Sequence, residues 1–166
     1  MNTTSGLPDK AQVRFDCAGH ATGKMRNDLV VTMKLPFEEG PFELATDEGS
    51  FHGGDATAPP PLALFVAGLT GCIMTQIRAF AKRLDVSLNS LDVETRVVWD
   101  WQAKGRIYET APKSFEIDVL LDSDDDQDRV AELIAAAKKG CFIEQTLGRS
   151  NTIRHRMKTP GGWIDV

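Results

Sequence analysis

Two cysteines offer the clearest chemistry in this chain. Cys72 lies inside an almost charge-free stretch, Pro61-Leu-Ala-Leu-Phe-Val-Ala-Gly-Leu-Thr-Gly-Cys72-Ile-Met-Thr-Gln-Ile. Cys141 follows 69 residues later, just after the glycine that closes a second helix-like segment. They do not form a CxxC pair, and neither has a histidine or further cysteine at zinc-ligand spacing, so structural zinc is not expected. Two readings remain. In one, both are small core hydrophobes. In the other, one thiolate attacks an oxidant and becomes a sulfenic acid, and the second thiol condenses with it to a disulfide. An external dithiol must then reduce that disulfide, and no bound cofactor is required. Cys17 shares a strand face with Val13 and Phe15 and is read as core.

A reactive Cys72 needs help. With a helix beginning near Pro61, Cys72 lies about 16 Å inside it at the usual rise. The helix macrodipole fades beyond the first turn, and an apolar setting disfavours a thiolate. Activation must therefore come from a cation or donor elsewhere. His20, Arg14, Arg26 and His52, in the early strands and the glycine loop, are the available groups.

The elements that must position these residues follow from periodicity. Residues 1–10 read as a flexible end and residues 11–166 as one domain, the size expected of a single core. Ala11–Cys17 alternates as a half-buried strand, Gly19–Gly23 is a turn, and Leu29–Leu35 is a second strand. Pro36 and the Glu38–Pro41 cluster break it, and Phe42–Thr46 is a short third strand. Asp47–Ala58 is a glycine-containing loop too irregular to pack as an element. A helix opens at the proline run and continues to about Leu84, with Asp85 beginning a turn. Its first half is apolar on every side, so it must be covered all round, by sheet or by a second subunit. Leu91–Trp101 and Ser114–Leu121 pair as a long hairpin. Trp99 and Trp101 share one face there, covering the helices or a dimer seam. Asp126–Lys139 is an amphipathic helix with Val130, Leu133, Ile134 and Ala137 inward and Gly140 as its C′ residue. Cys141–Leu147 is a short helical turn, and Thr152–Lys158 a last strand with His155 as a satisfied core histidine. The order βββ-α-ββ-α-β is that of an α+β domain with antiparallel sheet.

Composition excludes other classes. The chain has 166 residues, 42% hydrophobic and 26% charged, with a net charge of −5. That balance attracts neither nucleic acid nor anionic lipid. The acidic run Asp122–Asp128 reads as a solvated loop feeding a helix N-terminus, without the glycine and distal glutamate of an EF-hand. Ala56–Ile77 carries no charge. The three prolines at 59–61 leave an apolar block shorter than the roughly 20 residues a bilayer needs, so a core helix is expected rather than a membrane span. An odd cysteine count and no secretory signal point to the reducing cytosol. Gly53-Gly54 lacks the spacing of a phosphate-binding loop.

The run from Gly53-Gly54 through Pro59-Pro60-Pro61 to Gly71-Cys72 resembles the OsmC/Ohr superfamily, as does Ala136-Ala-Lys-Lys-Gly-Cys-Phe-Ile-Glu-Gln-Thr-Leu147. In that family a glycine-rich loop, a proline step and an apolar helix lead to the first cysteine, and a helix ending in Gly-Cys brings the second. The resemblance spans about residues 11–158 and implies antiparallel sheets wrapped around central helices in an intertwined homodimer. It further implies a thiol-dependent peroxidase for organic hydroperoxides, with Cys72 peroxidatic and Cys141 resolving, recycled by a dithiol such as a lipoyl-protein. This chain departs from the hydroperoxide-reducing branch. Ala63 and Leu62 stand where that branch has a glutamate, and His20 stands in the first turn where it has an arginine. Asp47-Glu48 looks like the acidic pair of a broader OsmC-like branch. Arg26 or Arg14 with Glu48 is left as a substitute activating pair. The alternative function is a non-enzymatic dimer that binds a small hydrophobic ligand at its interface, with inert thiols.

Overall fold

The computed structural model describes residues 10–166, so the expected flexible end lies almost entirely outside the described residues. The chain forms two compact units, one reaching to Phe65 and one starting at Val66.

The first unit is an antiparallel meander of β1 (Arg14–Thr22), β2 (Arg26–Leu35) and β3 (Glu39–Thr46). The β1–β2 turn sits later than the Gly19–Gly23 pattern suggests. Strand pairing runs on to Thr22↔Arg26, and Gly23 supplies the left-handed residue at φ 62°. One sheet face collects Phe15↔Met33, Cys17↔Val31↔Phe42 and Gly19↔Leu29↔Leu44. Cys17 is exposed, as are Val13 and Phe15, so the core assignment of Cys17 is wrong. Alternation located the apolar face but not what lies over it.

The helix α1 (Pro61–Leu84) buries one stripe, Leu69, Ile73, Ile77 and Ala81, at four-residue spacing. Ile73, Ile77 and Ala81 cluster with Leu133 and Ala137 of α2 (Gln127–Gly140) and with Cys141. Each large aliphatic side chain so removed from water contributes about 2 kcal/mol. Among the described residues, Ala63, Ala67, Gly71 and Thr75 of α1 remain exposed. Among the described residues α1 is also the one helix long and apolar enough to cross a bilayer.

The end of α1 is built by an arrangement that the sequence hides. Asp85 takes the left-handed conformation, φ 53°, where glycine is usual. The Val86 N–H bonds back to the Ala81 carbonyl at 2.9 Å, and both residues are buried, as in a Schellman cap. Arg129 donates to the carbonyls of Leu84 and Asp85 at 3.0 and 2.9 Å, serving acceptors the helix leaves unpaired. Arg129 is in turn held by Asp125, which also accepts the Ser87 N–H at 2.7 Å and its hydroxyl at 2.9 Å. The acidic run is therefore no mere solvated loop: Asp125 ties two connections together, and Asp126 caps α2 through the Arg129 N–H at 3.0 Å.

The expected hairpin is present and longer than its alternating segments. β4 (Ser90–Lys104) and β5 (Ile107–Asp122) pair along their length, with a bulge beside Pro112, a residue that cannot donate to the ladder. Leu91↔Leu121 and Val93↔Val119 face the α1–α2 cluster, while Arg96 on the other face pairs Glu116 and Asp118. Thr70 of α1 reaches Thr95 of β4 at 2.9 Å, hydroxyl to hydroxyl. Trp99 and Trp101 do share a face, each edge-on to an aromatic of β5, but Trp101 stays exposed. The short helix α3 (Phe142–Leu147) follows Cys141, and β6 (Arg156–Thr159) pairs with β7 (Gly162–Asp165). The last strand thus starts later than expected, and His155 lies before it, exposed rather than in a core. The architecture is α+β with antiparallel sheets, as the element order predicts.

Candidate functional site

Cys72 and Cys141 are brought together by one face of α1. Gly68, Cys72, Gln76 and Phe80 fall at four-residue steps, one above the other on the helix. A Cβ on Gly68 would stand 3.6 Å from Ile143, and one on Gly140 would stand 2.6 Å from the Phe80 ring and 3.3 Å from Gln76. The segment 140–143 therefore lies along this stripe, with Cys141 beside Cys72. Gly140 does not take the C′ role that its position after Lys139 suggests. It is the last residue of α2 rather than a left-handed C′ residue, and its bareness serves the close approach to Phe80.

The two thiols differ. Cys72 is half-buried, whereas Cys141 is fully buried and caps α3, its sulfur accepting the Glu144 N–H at 3.5 Å. Burial pushes the Cys141 thiol up to about 11; the N–H groups of Glu144 and Ile143 oppose that rise and the neighbouring Cys72 adds to it. A thiol in that position stays protonated at neutral pH and is a weak first nucleophile. Two cavities of about 380 and 230 Å³ are both bordered by Phe115, Ile117 and Glu144, and neither Cys72 nor Cys141 is in their lining. The Glu144 Oε2 atom is buried and has no hydrogen-bond partner among the described residues. Sequence reasoning missed Glu144. The signal was available: Cys141-Phe-Ile-Glu144 has the spacing of a capping box.

The three auxiliary candidates lie in the first unit. His20 is exposed on β1 opposite Asp28. Arg26 is engaged by Asp28 at 3.0 Å and by the Thr57 carbonyl and hydroxyl at 3.3 and 3.0 Å. Glu48 is half-buried, but its neighbour Asp47 is the carboxylate that the fold encloses. Asp47 accepts from the Thr57 N–H at 2.9 Å, the Thr57 hydroxyl at 2.8 Å and the Glu48 N–H at 2.9 Å. Gly54 passes so close to the Glu48 carbonyl that a Cβ there would sit 1.8 Å from its oxygen. The Asp47–Ala58 segment is thus a loop, as expected, with one short turn at Ser50–His52, but it is clamped by hydrogen bonds. Its bonds run to side chains and carbonyls that no periodicity marks. Among the described residues no group of three His, Cys, Asp or Glu side chains converges as a metal site.

The family model for OsmC-like proteins matches residues 53–156, more than half of the chain. This chain belongs to the OsmC-like family. A crystal structure of an OsmC-like hydroperoxide resistance protein from Jannaschia sp. CCS1 is 64% identical, covers 93% of this chain and 98% of its own, and superposes with a TM-score of 0.65. The organic hydroperoxide resistance protein OsmC of Legionella pneumophila, described as a predicted redox protein, is 23% identical over 83% of this chain and 91% of its own, with a TM-score of 0.53. That of Elizabethkingia anophelis is 15% identical over 89% of this chain and 93% of its own, with a TM-score of 0.55. These two show the shared fold. No curated protein matches the chain significantly. In this OsmC-like chain the matched segment contains the clamped loop from Gly53, α1, and both cysteines.

The Asp47 clamp has a pH signature. The Thr57 N–H first, then the Thr57 hydroxyl and the Glu48 and Asp55 N–H groups, hold its carboxyl below the usual range against the opposing effect of burial. A depressed folded-state value means stability that is present above the unfolded value near pH 4 and lost as pH falls through the folded one. Asp47→Asn should therefore melt a few degrees below the wild type at neutral pH, and calorimetry should find the gap closing once the medium is acidic enough to protonate Asp47 in the native state. A gap that does not change with pH would contradict the clamp.

Proposed function

We propose that this chain is a thiol-dependent peroxidase for organic hydroperoxides. The observation that carries the reading is the adjacency of a partly accessible Cys72 to a sealed Cys141. Peroxide reaches Cys72 first. Its sulfur attacks the terminal peroxide oxygen, the O–O bond breaks, and the alcohol leaves with a proton, giving Cys72 sulfenic acid. Cys141 then attacks that sulfur, the S–O bond breaks, water leaves, and a Cys72–Cys141 disulfide remains. An external dithiol, of which a lipoyl group is one chemical example, reduces it by thiol–disulfide exchange and is itself oxidised. The Jannaschia relative, described as a hydroperoxide resistance protein, supports the substrate class. The cavity bordered by Ile73, the chain neighbour of Cys72, and by Glu144, one turn beyond Cys141, is lined mainly by apolar side chains, which suits an organic rather than an inorganic peroxide. A reducing compartment such as the cytosol keeps the resting pair as dithiol.

The cavities also favour a second reading, a non-enzymatic module that holds a small hydrophobic ligand with inert thiols. Turnover decides between them. With an organic hydroperoxide and a dithiol reductant, Cys72→Ser should lose peroxide consumption to the uncatalysed background, and Cys141→Ser should stop after one turnover. Full turnover by Cys72→Ser would eliminate the peroxidase reading.

The reading includes a homodimer. Ala63, Ala67, Gly71 and Thr75 form an open stripe of small side chains on α1, which lets a second helix approach closely. Ala67→Arg should convert a dimer to a monomer in sedimentation velocity, and a variant that keeps the wild-type mass would count against this seam.

A further inference from the structure

The buried Oε2 atom of Glu144 has no hydrogen bond among the described residues, and it marks a site apart from the thiols. A buried carboxylate oxygen without a donor is costly unless something enters to serve it. Glu144 stands on the wall of both cavities of the second unit. The larger, about 380 Å³, is otherwise lined by Ile73 of α1, Ile134 of α2, and Phe115, Ile117 and Val119 of β5, with Lys138 of α2 as its second charged group. The smaller, about 230 Å³, shares Phe115 and Ile117 and adds Leu69 and Leu147. An apolar wall carrying a few polar groups is the make-up of a small-molecule site, and the larger volume is on that scale.

The two polar groups select the head of the ligand. A carboxylate only accepts hydrogen bonds and an ammonium only donates them. Lys138 is exposed, and its amine does not serve the Glu144 Oε2 atom. A carboxylate head would therefore meet the like charge of Glu144, and an ammonium head the like charge of Lys138. A hydroxyl meets neither penalty: its O–H can donate to Glu144 while its lone pairs accept from Lys138.

We infer that the cavity bordered by Glu144 and Lys138 binds a neutral, apolar molecule with a terminal hydroxyl, Glu144 accepting from the O–H and Lys138 donating to its oxygen. An alcohol and a hydroperoxide share that head. The inference deepens the ligand-holding reading and rests on it, and it requires no reaction at either cysteine.

Octanol is a suitable probe, with its isomer heptyl methyl ether, which accepts but cannot donate, as the control. In titration calorimetry of the reduced full chain, octanol should bind about tenfold or more tightly than the ether, the effect of a hydrogen bond to a charged group. Octanoate and octylammonium should both bind more weakly than octanol, and the methyl signals of Val119 and Ile134 should shift in NMR spectra as octanol is added. Glu144→Leu should keep the ether, lose the preference for octanol and gain affinity for octanoate, whereas Lys138→Met should gain affinity for octylammonium. Equal binding of octanol and the ether to the wild type would overturn the inference, since water would then serve the Glu144 oxygen as well as the ligand does, yet the ligand-holding reading would stand. A preference for octanoate or octylammonium over octanol would overturn it in the same way. Binding of none of the four compounds would defeat both. The wild-type comparisons hold whether or not either variant folds.

Discussion

The contact between α1 and the segment that ends α2 is the constraint on which the second unit depends. Ile73, Ile77 and Ala81 can be buried only if Leu133, Ala137 and Cys141 come against them. That same requirement lays Gly140–Ile143 along the Gly68–Cys72–Gln76–Phe80 stripe. One glycine makes the approach possible: Gly140 leaves room for the Phe80 ring, where a Cβ would stand 2.6 Å away. The hairpin closes the remaining side of the cluster through Leu91, Val93, Ile117, Val119 and Leu121. Packing energy thus sets the sulfur–sulfur neighbourhood, and the proposed chemistry would use a position that the core has already determined.

The same packing makes the thiols unequal. Enclosure keeps Cys141 neutral and out of reach of an oxidant, while Cys72 retains access. A pair of equally exposed cysteines would have no order of reaction. In the proposed reaction the order follows from burial. The helix dipole cannot supply activation at Cys72, which lies too far along α1 for it. In the first unit the candidate helper Arg26 is committed to Asp28 and Thr57, within the network that Asp47 organises.

Much of the fold was legible because it rests on short-range patterns. The strict alternation of Leu91–Trp101 and Ser114–Leu121 gave the hairpin, and the Val130, Leu133 and Ala137 spacing gave the inward face of α2. The features that were not legible depend on partners distant in the chain. Asp85 in a left-handed cap, Arg129 on the carbonyls of α1, and Asp47 bonded to Thr57 ten residues on leave no periodic trace. Cys17 and His155 were misplaced for a related reason, since alternation tells which side a residue takes but not whether anything covers that side. The two cysteines were found by type and motif order, whereas Glu144 was read only as part of a short apolar turn.

The central claim is that Cys72 and Cys141 act on one peroxide molecule as a single dithiol. It is tested most directly by treating the reduced protein with one equivalent of cumene hydroperoxide per chain, alkylating the remaining thiols, and mapping the peptides by mass spectrometry without reduction. The account predicts a peptide pair linked through Cys72 and Cys141, with Cys17 alkylated. Recovery of Cys72 and Cys141 as separately alkylated thiols, with the hydroperoxide unconsumed, would contradict it.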